Sequence, residues 1–295
     1  MGKLAKWIQE RSSAFVAQVP IDPVVRSLAI EGHIRTELDR VRATMPDNLI
    51  LKGFKVFSQV DEDGIIEAIS NLVPAPARNK TFIEIGCGRG VQNNTAYLVL
   101  KDYRGVWVDG SSTNIQYIRD HCPGIDKSNT LKVDQRFIHR SNVASLLGHY
   151  VSFIGTSEPE FFTLDIDGND AYILEIALQV IQPAIVCLEY NGKFPAHLNV
   201  SITYNEKHTW NRDDYFGASL AALVQRMAGY TLVACNVSGV NAFFVRDDLK
   251  ENFVIYPVEQ LYRKSHHELA KRSTWNPSSL NWIRDKLECG YKQSA

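Results

Sequence analysis

Between Lys80 and Leu249 the sequence alternates short β-branched runs with longer amphipathic ones, and that alternation leaves few folds open. "TFIEIG", "GVWVDGS", "TLKVDQRFI", "FFTLDID" and "AIVCLEYNG" have the length and composition of buried strands. "VQNNTAYLVLKDY", "STNIQYIRDHC", "NVASLLGHY", "DAYILEIALQVI" and "GASLAALVQRMAGY" read as helices. Parallel strands joined by crossover helices satisfy this pattern, so it predicts a doubly wound α/β sheet. "TLVACNVSGVNAFFVRDDL" then reads as two strands sharing a tight turn near Ser238 and Gly239. So short a connection forces them antiparallel. The expectation is a mostly parallel seven-stranded sheet with a terminal antiparallel hairpin.

The flanks read as helical. Val24, Leu28, Ile30, Ile34, Leu38 and Val41 recur at roughly helical intervals among charges, so residues 1–50 form an N-terminal helical extension. It packs on the main domain or joins two copies as a homo-oligomer. The main domain is placed at 51–250, and 251–295 forms a helical segment covering it. The chain has 295 residues, 45% of them apolar, enough for a substantial core. Its formal charge of -1 gives no footprint for a nucleic-acid backbone or an anionic membrane. No run approaches the roughly 18 apolar residues of a membrane span. The N-terminus lacks the apolar core of a secretory signal, and Lys6 stands where a myristoylation signal after Gly2 wants serine or threonine. Cys87, Cys122, Cys187, Cys235 and Cys289 are dispersed and form no CxxC pair, which fits neither a disulfide framework nor zinc. A reducing cytoplasm is the expected compartment.

Gly86, Gly88 and Gly90 follow the first strand at every second position. A glycine-rich turn at the carboxyl end of such a strand lets backbone approach a ligand closely. It is also what a tight strand-to-helix turn alone requires. The spacing is not the GxGxxG of dinucleotide sites. With Glu84 two residues before it, the segment resembles the acidic-x-Gly-x-Gly-x-Gly motif of S-adenosylmethionine-dependent methyltransferases, and the sheet with its reversed strand resembles the class I (Rossmann-like) fold of those enzymes. The resemblance implies a loop under the methionine portion of the cofactor. Asp109 ends the second strand, where a carboxylate can accept from both ribose hydroxyls. Ser111 or Ser112 can then cap the next helix. Ser141 and Asn142 follow the third strand, where such enzymes contact adenine.

Two further strings, "KVFSQVDEDGIIEAI" (55–69) and "LDIDGND" (164–170), resemble the FkbM-like methyltransferases, and the likeness spans about 55–249. Asp167 and Asp170 stand where that family commonly has glutamates. The resemblance implies that the upstream turn folds over the cofactor pocket with Gln59 and Asp63 inward, although its acids also suit a helix N-terminus. The implied cofactor set is Gln59, Asp63, Glu84, Gly86, Gly88, Gly90, Asp109, Asn142 and Asp165.

Asp165 and Asp167 end the fourth strand, and Glu189 with Asn191 ends the fifth, so adjacent strands bring them to one edge. Asp167 or Glu189 can serve as general base. Alternatively Asp167, Glu189 and Asn191 hold a divalent cation such as magnesium that orients neighbouring hydroxyls. Asp170 is placed to cap the following helix. The long polar segment 193–217 carries Tyr204, His208, Trp210 and Tyr215, suited to stacking on a sugar, and His197 or His208 as a reserve base, His208 being the catalytic candidate. The expected activity is O-methylation of a small molecule such as a sugar or glycan-linked hydroxyl. A catalytically silent cofactor-binding scaffold is the alternative. No Asn-Pro-Pro-Tyr string of base-modifying enzymes follows the fourth strand.

Overall fold

A computed structural model describes residues 22–271 and 277–292. Strand β1 (Thr81–Ile85) lies at the centre, with β2 (Arg104–Asp109) on one side and β4 (Phe161–Leu164) on the other. β3 (Leu131–Gln135) continues the parallel sheet beyond β2, and β5 (Ile185–Glu189) beyond β4. β7 (Asn241–Arg246) runs antiparallel to both β5 and β6 (Tyr230–Cys235), giving the order 3-2-1-4-5-7-6. This is the mostly parallel, Rossmann-like methyltransferase fold expected from the sequence. Winding reverses between β3 and β4, so the carboxyl ends of β1 and β4 flank the point where a ligand crevice opens.

The central strands are buried on both faces, which explains their nearly continuous apolar composition. Phe82 and Trp107 pack into one core, and their neighbours Ile83, Ile85, Val106 and Val108 into the other. The covering helices are α1 (Pro23–Thr44), α2 (Glu62–Leu72), α3 (Ala96–Leu100), α4 (Ser112–His121), α5 (Val143–Ile154), α6 (Asp170–Val180), α7 (Leu220–Arg226), α8 (Val258–Leu261) and α9 (Asn281–Lys292). Ile30 and Val41 of α1 and Ile283 of α9 join the first core. Residues 1–21, with Gly2, Lys6 and the first part of the expected extension, lie outside the described residues, as do 272–276 and the side chain of Cys289. The other four cysteines are buried free thiols. Among the described residues no helix is long and apolar enough to cross a membrane.

Two local results differ from the sequence reading. The helix expected from Val91 begins only at Ala96, because residues 93–95 turn to meet Glu84. The acidic turn before α2 is keyed to the hairpin. Glu62 Oε1 accepts from Asn236 Nδ2 at 2.7 Å and Asn241 Nδ2 at 3.3 Å, while Asp61 Oδ2 accepts from Val237 N–H at 3.1 Å. Asn236 organises that hairpin turn by accepting from the N–H groups of Val240 and Asn241.

Candidate functional site

The three glycines all take positive φ, +94° at Gly86, +56° at Gly88 and +71° at Gly90, but for different reasons. A Cβ on Gly86 would lie 1.6 Å from the Asp165 carbonyl oxygen, so glycine lets β1 and β4 converge. A Cβ on Gly90 would press on the Trp107 ring at 2.9 Å. On Gly88 it would meet nothing within 4 Å. Gly88 instead borders a cavity of about 290 Å³, near the lower end for a cofactor pocket. Gln59, Glu84, Asn93, Asn114, Asp165 and Asn241 are among its walls.

Asp109 fastens this turn to the next helix. Its Oδ2 accepts from Gly88 N–H at 2.8 Å, and its Oδ1 accepts from Ser111 N–H at 2.7 Å and Asn114 Nδ2 at 3.1 Å. Ser111 caps α4, accepting from Asn114 N–H. A carboxylate has about four acceptor directions, so one on Oδ2 is left for a hydroxyl. Asp109 itself is not a wall of the cavity; Asn114 is.

Glu84 is buried beneath the glycines, and burial raises its pKa against the opposing pull of its hydrogen bonds. Its carboxylate accepts from Asn93 Nδ2 at 2.6 Å, Asn94 N–H at 2.8 Å and the Thr95 hydroxyl, which in turn accepts from Trp107 Nε1. It therefore shapes the cavity wall from below. Gln59 lines the same cavity.

Asp63 does not line the cavity. Its Oδ2 collects the N–H groups of Val56, Phe57 and Ser58 at 2.6–2.9 Å, fixing the turn that carries Gln59. Burial raises its pKa and those bonds oppose the rise. Asn142 is likewise engaged locally, accepting from His139 N–H and donating to the Phe137 carbonyl, and is absent from the cavity wall.

Three acids gather where the fourth and fifth strands end. Carboxylate oxygens of Asp165, Asp167 and Glu189 all lie within 4.8 Å of one another. The Asn191 amide is engaged by its own backbone surroundings: its Nδ2 donates to the carbonyls of Asp214 and Phe216, and its Oδ1 accepts from Lys193 N–H. Burial, then the neighbouring acids, push Asp165 and Glu189 well above the carboxylate range. Burial raises Asp167 to about 6, with Asp170 and Asp109 adding and the nearby His208 opposing. So crowded a set holds protons or a cation. Glu189 Oε2 is buried without a partner.

Asp170 opens α6, but its carboxylate faces back to accept from Ile166 N–H and Gly168 N–H, both at 2.9 Å. It braces the turn from which Asp167 projects at φ +52°. The polar segment 193–217 returns to this turn through His208, while His197 is exposed. Tyr204 accepts from Arg140 N–H and lies under its guanidinium. Trp210 and Tyr215 are exposed aromatic surfaces on this segment, Tyr215 edge-on to His208. Sequence reasoning passed over Asn93, Asn114, Asn169 and Asn241. The "QNN" string after the glycines and the asparagine inside "DGND" were the available signals.

No family model matches the chain, and no curated protein matches it. Solved structures do. The N-terminal domain of EvdMO1 with SAH bound is 14% identical, over 72% of this chain and 94% of that one, at a TM-score of 0.41. The methyltransferase domain of bacterial CtHen1-C is 17% identical over 64% and 97%, at 0.39. The O-methyltransferase from Bacillus cereus in complex with SAH is 12% identical over 77% and 91%, also at 0.39. At these values the likeness carries no argument about chemistry.

Proposed function

We propose that this chain is an S-adenosylmethionine-dependent methyltransferase of the FkbM-like kind that methylates a hydroxyl of a small molecule, a sugar or glycan-linked group. The observation that carries the reading is the glycine turn at the carboxyl end of β1. Its middle residue faces open space and is tied through its N–H to Asp109, and Asp165, one of the three clustered acids, lines the same cavity.

The residues present suit that cofactor. Gly88 presents bare backbone to the cavity, and Asp109 retains an acceptor direction for a ribose hydroxyl. The cavity's two acids, Glu84 and Asp165, suit a ligand bearing an ammonium and a sulfonium, and Arg89 borders the same space. When bound, S-adenosylmethionine supplies an electrophilic methyl group. In-line transfer needs the acceptor oxygen about 3 Å from that carbon, so positioning supplies most of the rate. Asp165, Asp167 and Glu189 would hold a divalent cation, because such a charge relieves the cost of three acids at this separation. A bound cation would supply Lewis-acid lowering of the hydroxyl pKa. Asp167, ionised above pH of about 6, accepts the proton in its absence, with His208 in reserve. Trp210 and Tyr215 offer the flat surfaces a sugar ring packs on.

Calorimetry with S-adenosylmethionine, then release of S-adenosylhomocysteine over a panel of sugars with magnesium or chelator, tests this reading. Asp167→Asn and Glu189→Gln should each abolish turnover; full activity in both would remove the mechanism and leave the fold.

A further inference from the structure

"DGND" is usually a turn-forming string, yet here each residue has a separate contact, and two of them converge on one histidine. Gly168 lies directly against the His208 ring, where a Cβ would stand 2.3 Å from His208 Cδ2 and 3.1 Å from Nε2. Asn169 is buried and clamps the backbone of Asn205, donating through Nδ2 to its carbonyl at 2.8 Å and accepting its N–H at 3.3 Å. That same Asn205 carbonyl accepts His208 N–H at 2.9 Å, closing a turn that delivers the imidazole. His208 Nε2 is buried without a protein partner.

We propose that Gly168 and Asn169 are positioning residues that seat His208 beside Asp167 and so fix the 193–217 segment over the acceptor end of the site. The two act in different ways. Gly168 clears the space the ring occupies. Asn169 imitates a β-bridge, holding the 205–208 turn by two hydrogen bonds from a side chain rooted at the start of α6. The segment is thereby registered against the catalytic edge by the same turn that carries Asp167. Its meaning for catalysis rests on the methyltransferase reading; the seat itself does not.

The test is spectroscopic and needs no acceptor. In full-length protein labelled at histidine Cε1, the His208 resonance is assigned by its loss in His208→Asn. Asp167→Asn should move that resonance in the otherwise unchanged protein. In Asn169→Ala and in Gly168→Ala the same change should move it by less than half as much, while an S-adenosylhomocysteine titration keeps its wild-type midpoint. A purely stabilising asparagine would lower the melting temperature and leave the coupling intact in the folded molecules. Asn169→Asp, which keeps the volume but places two acceptors face to face, serves if the alanine variant does not fold. The proposal is overturned if Asp167→Asn leaves His208 unmoved in the otherwise native chain, or if the response persists at full size in the Asn169 variants. Failure to bind S-adenosylhomocysteine with the coupling present would instead refute the cofactor reading and leave the seat standing.

Discussion

Gly86→Ala and Gly88→Ala make the same chemical change two residues apart, and the structure predicts opposite outcomes. At Gly86 an alanine must hold φ +94° and place its methyl 1.6 Å from the Asp165 carbonyl oxygen, a backbone atom fixed by Asp165 N–H donating to the Ile85 carbonyl. Left-handed backbone costs an L residue roughly 1–2 kcal/mol. Overpacking against rigid structure adds about 1–3 kcal/mol. The combined loss of roughly 2–5 kcal/mol is a large share of the roughly 5–15 kcal/mol that holds a domain folded. At Gly88 the φ of +56° is ordinary left-handed helix and nothing lies within 4 Å, so only the backbone cost applies. The unfolded chain's lost freedom offsets about 0.4–1 kcal/mol of it. Thermal melting should therefore fall by on the order of 10 °C for Gly86→Ala and by a few degrees at most for Gly88→Ala. Calorimetry should show the reverse ranking of specific harm. Gly88→Ala stays folded yet binds S-adenosylhomocysteine about tenfold or more weakly, because its methyl enters the space left for the ligand. A Gly88→Ala protein with wild-type affinity would refute the claim that this open space is the cofactor's.

Asp167 is held above its ordinary 3.8 at about 6, so its ionisation opposes folding. Below pH of about 4 it is protonated in both states; as pH rises through about 6 the folded state alone resists losing the proton, and stability falls. In chelator, Asp167→Asn should match wild type in urea near pH 4 and exceed it by on the order of 1–3 kcal/mol at pH 8; an equal difference at both values would contradict this sign. Magnesium should stabilise the native chain at pH 8 far more than at pH 5, since the ligands must be ionised. Asn191→Ala should lower the melting temperature yet leave that stabilisation intact, because its amide ties the 214–216 backbone; losing the magnesium response would restore Asn191 to the cation site. Glu84→Ala strands three buried donors at about 1–3 kcal/mol each, so a loss of at least ~3 kcal/mol is expected in urea unfolding.

Much of the fold was legible because strand period, helix period and connection length are local properties. The hairpin could be assigned from the shortness of the stretch around Ser238 and Gly239, and the carboxylate edge from strand ends alone. What escaped was the partnering of polar side chains across the chain. Asp63, expected to face the pocket or to suit a helix N-terminus, gathers three N–H groups five to seven residues before it, and Glu62, expected as one more helix acid, reaches Asn236 across 174 positions. Asn191 sits at a strand end that promises a ligand, yet the returning 214–216 segment captures its amide. Nothing in local spacing says which of two neighbouring polar residues a distant segment will engage. Glu84 shows the same limit from the other side: its place in the motif was readable, but its task of bending residues 93–95 and shortening a helix was not.

The most direct test is a crystal structure of the full chain grown with S-adenosylhomocysteine and magnesium. The nucleoside should lie across Gly86–Gly90 with a ribose hydroxyl on Asp109 Oδ2, and a cation should sit among Asp165, Asp167 and Glu189. Density elsewhere, or a crevice filled by the chain's own side chains at saturating ligand, would contradict it.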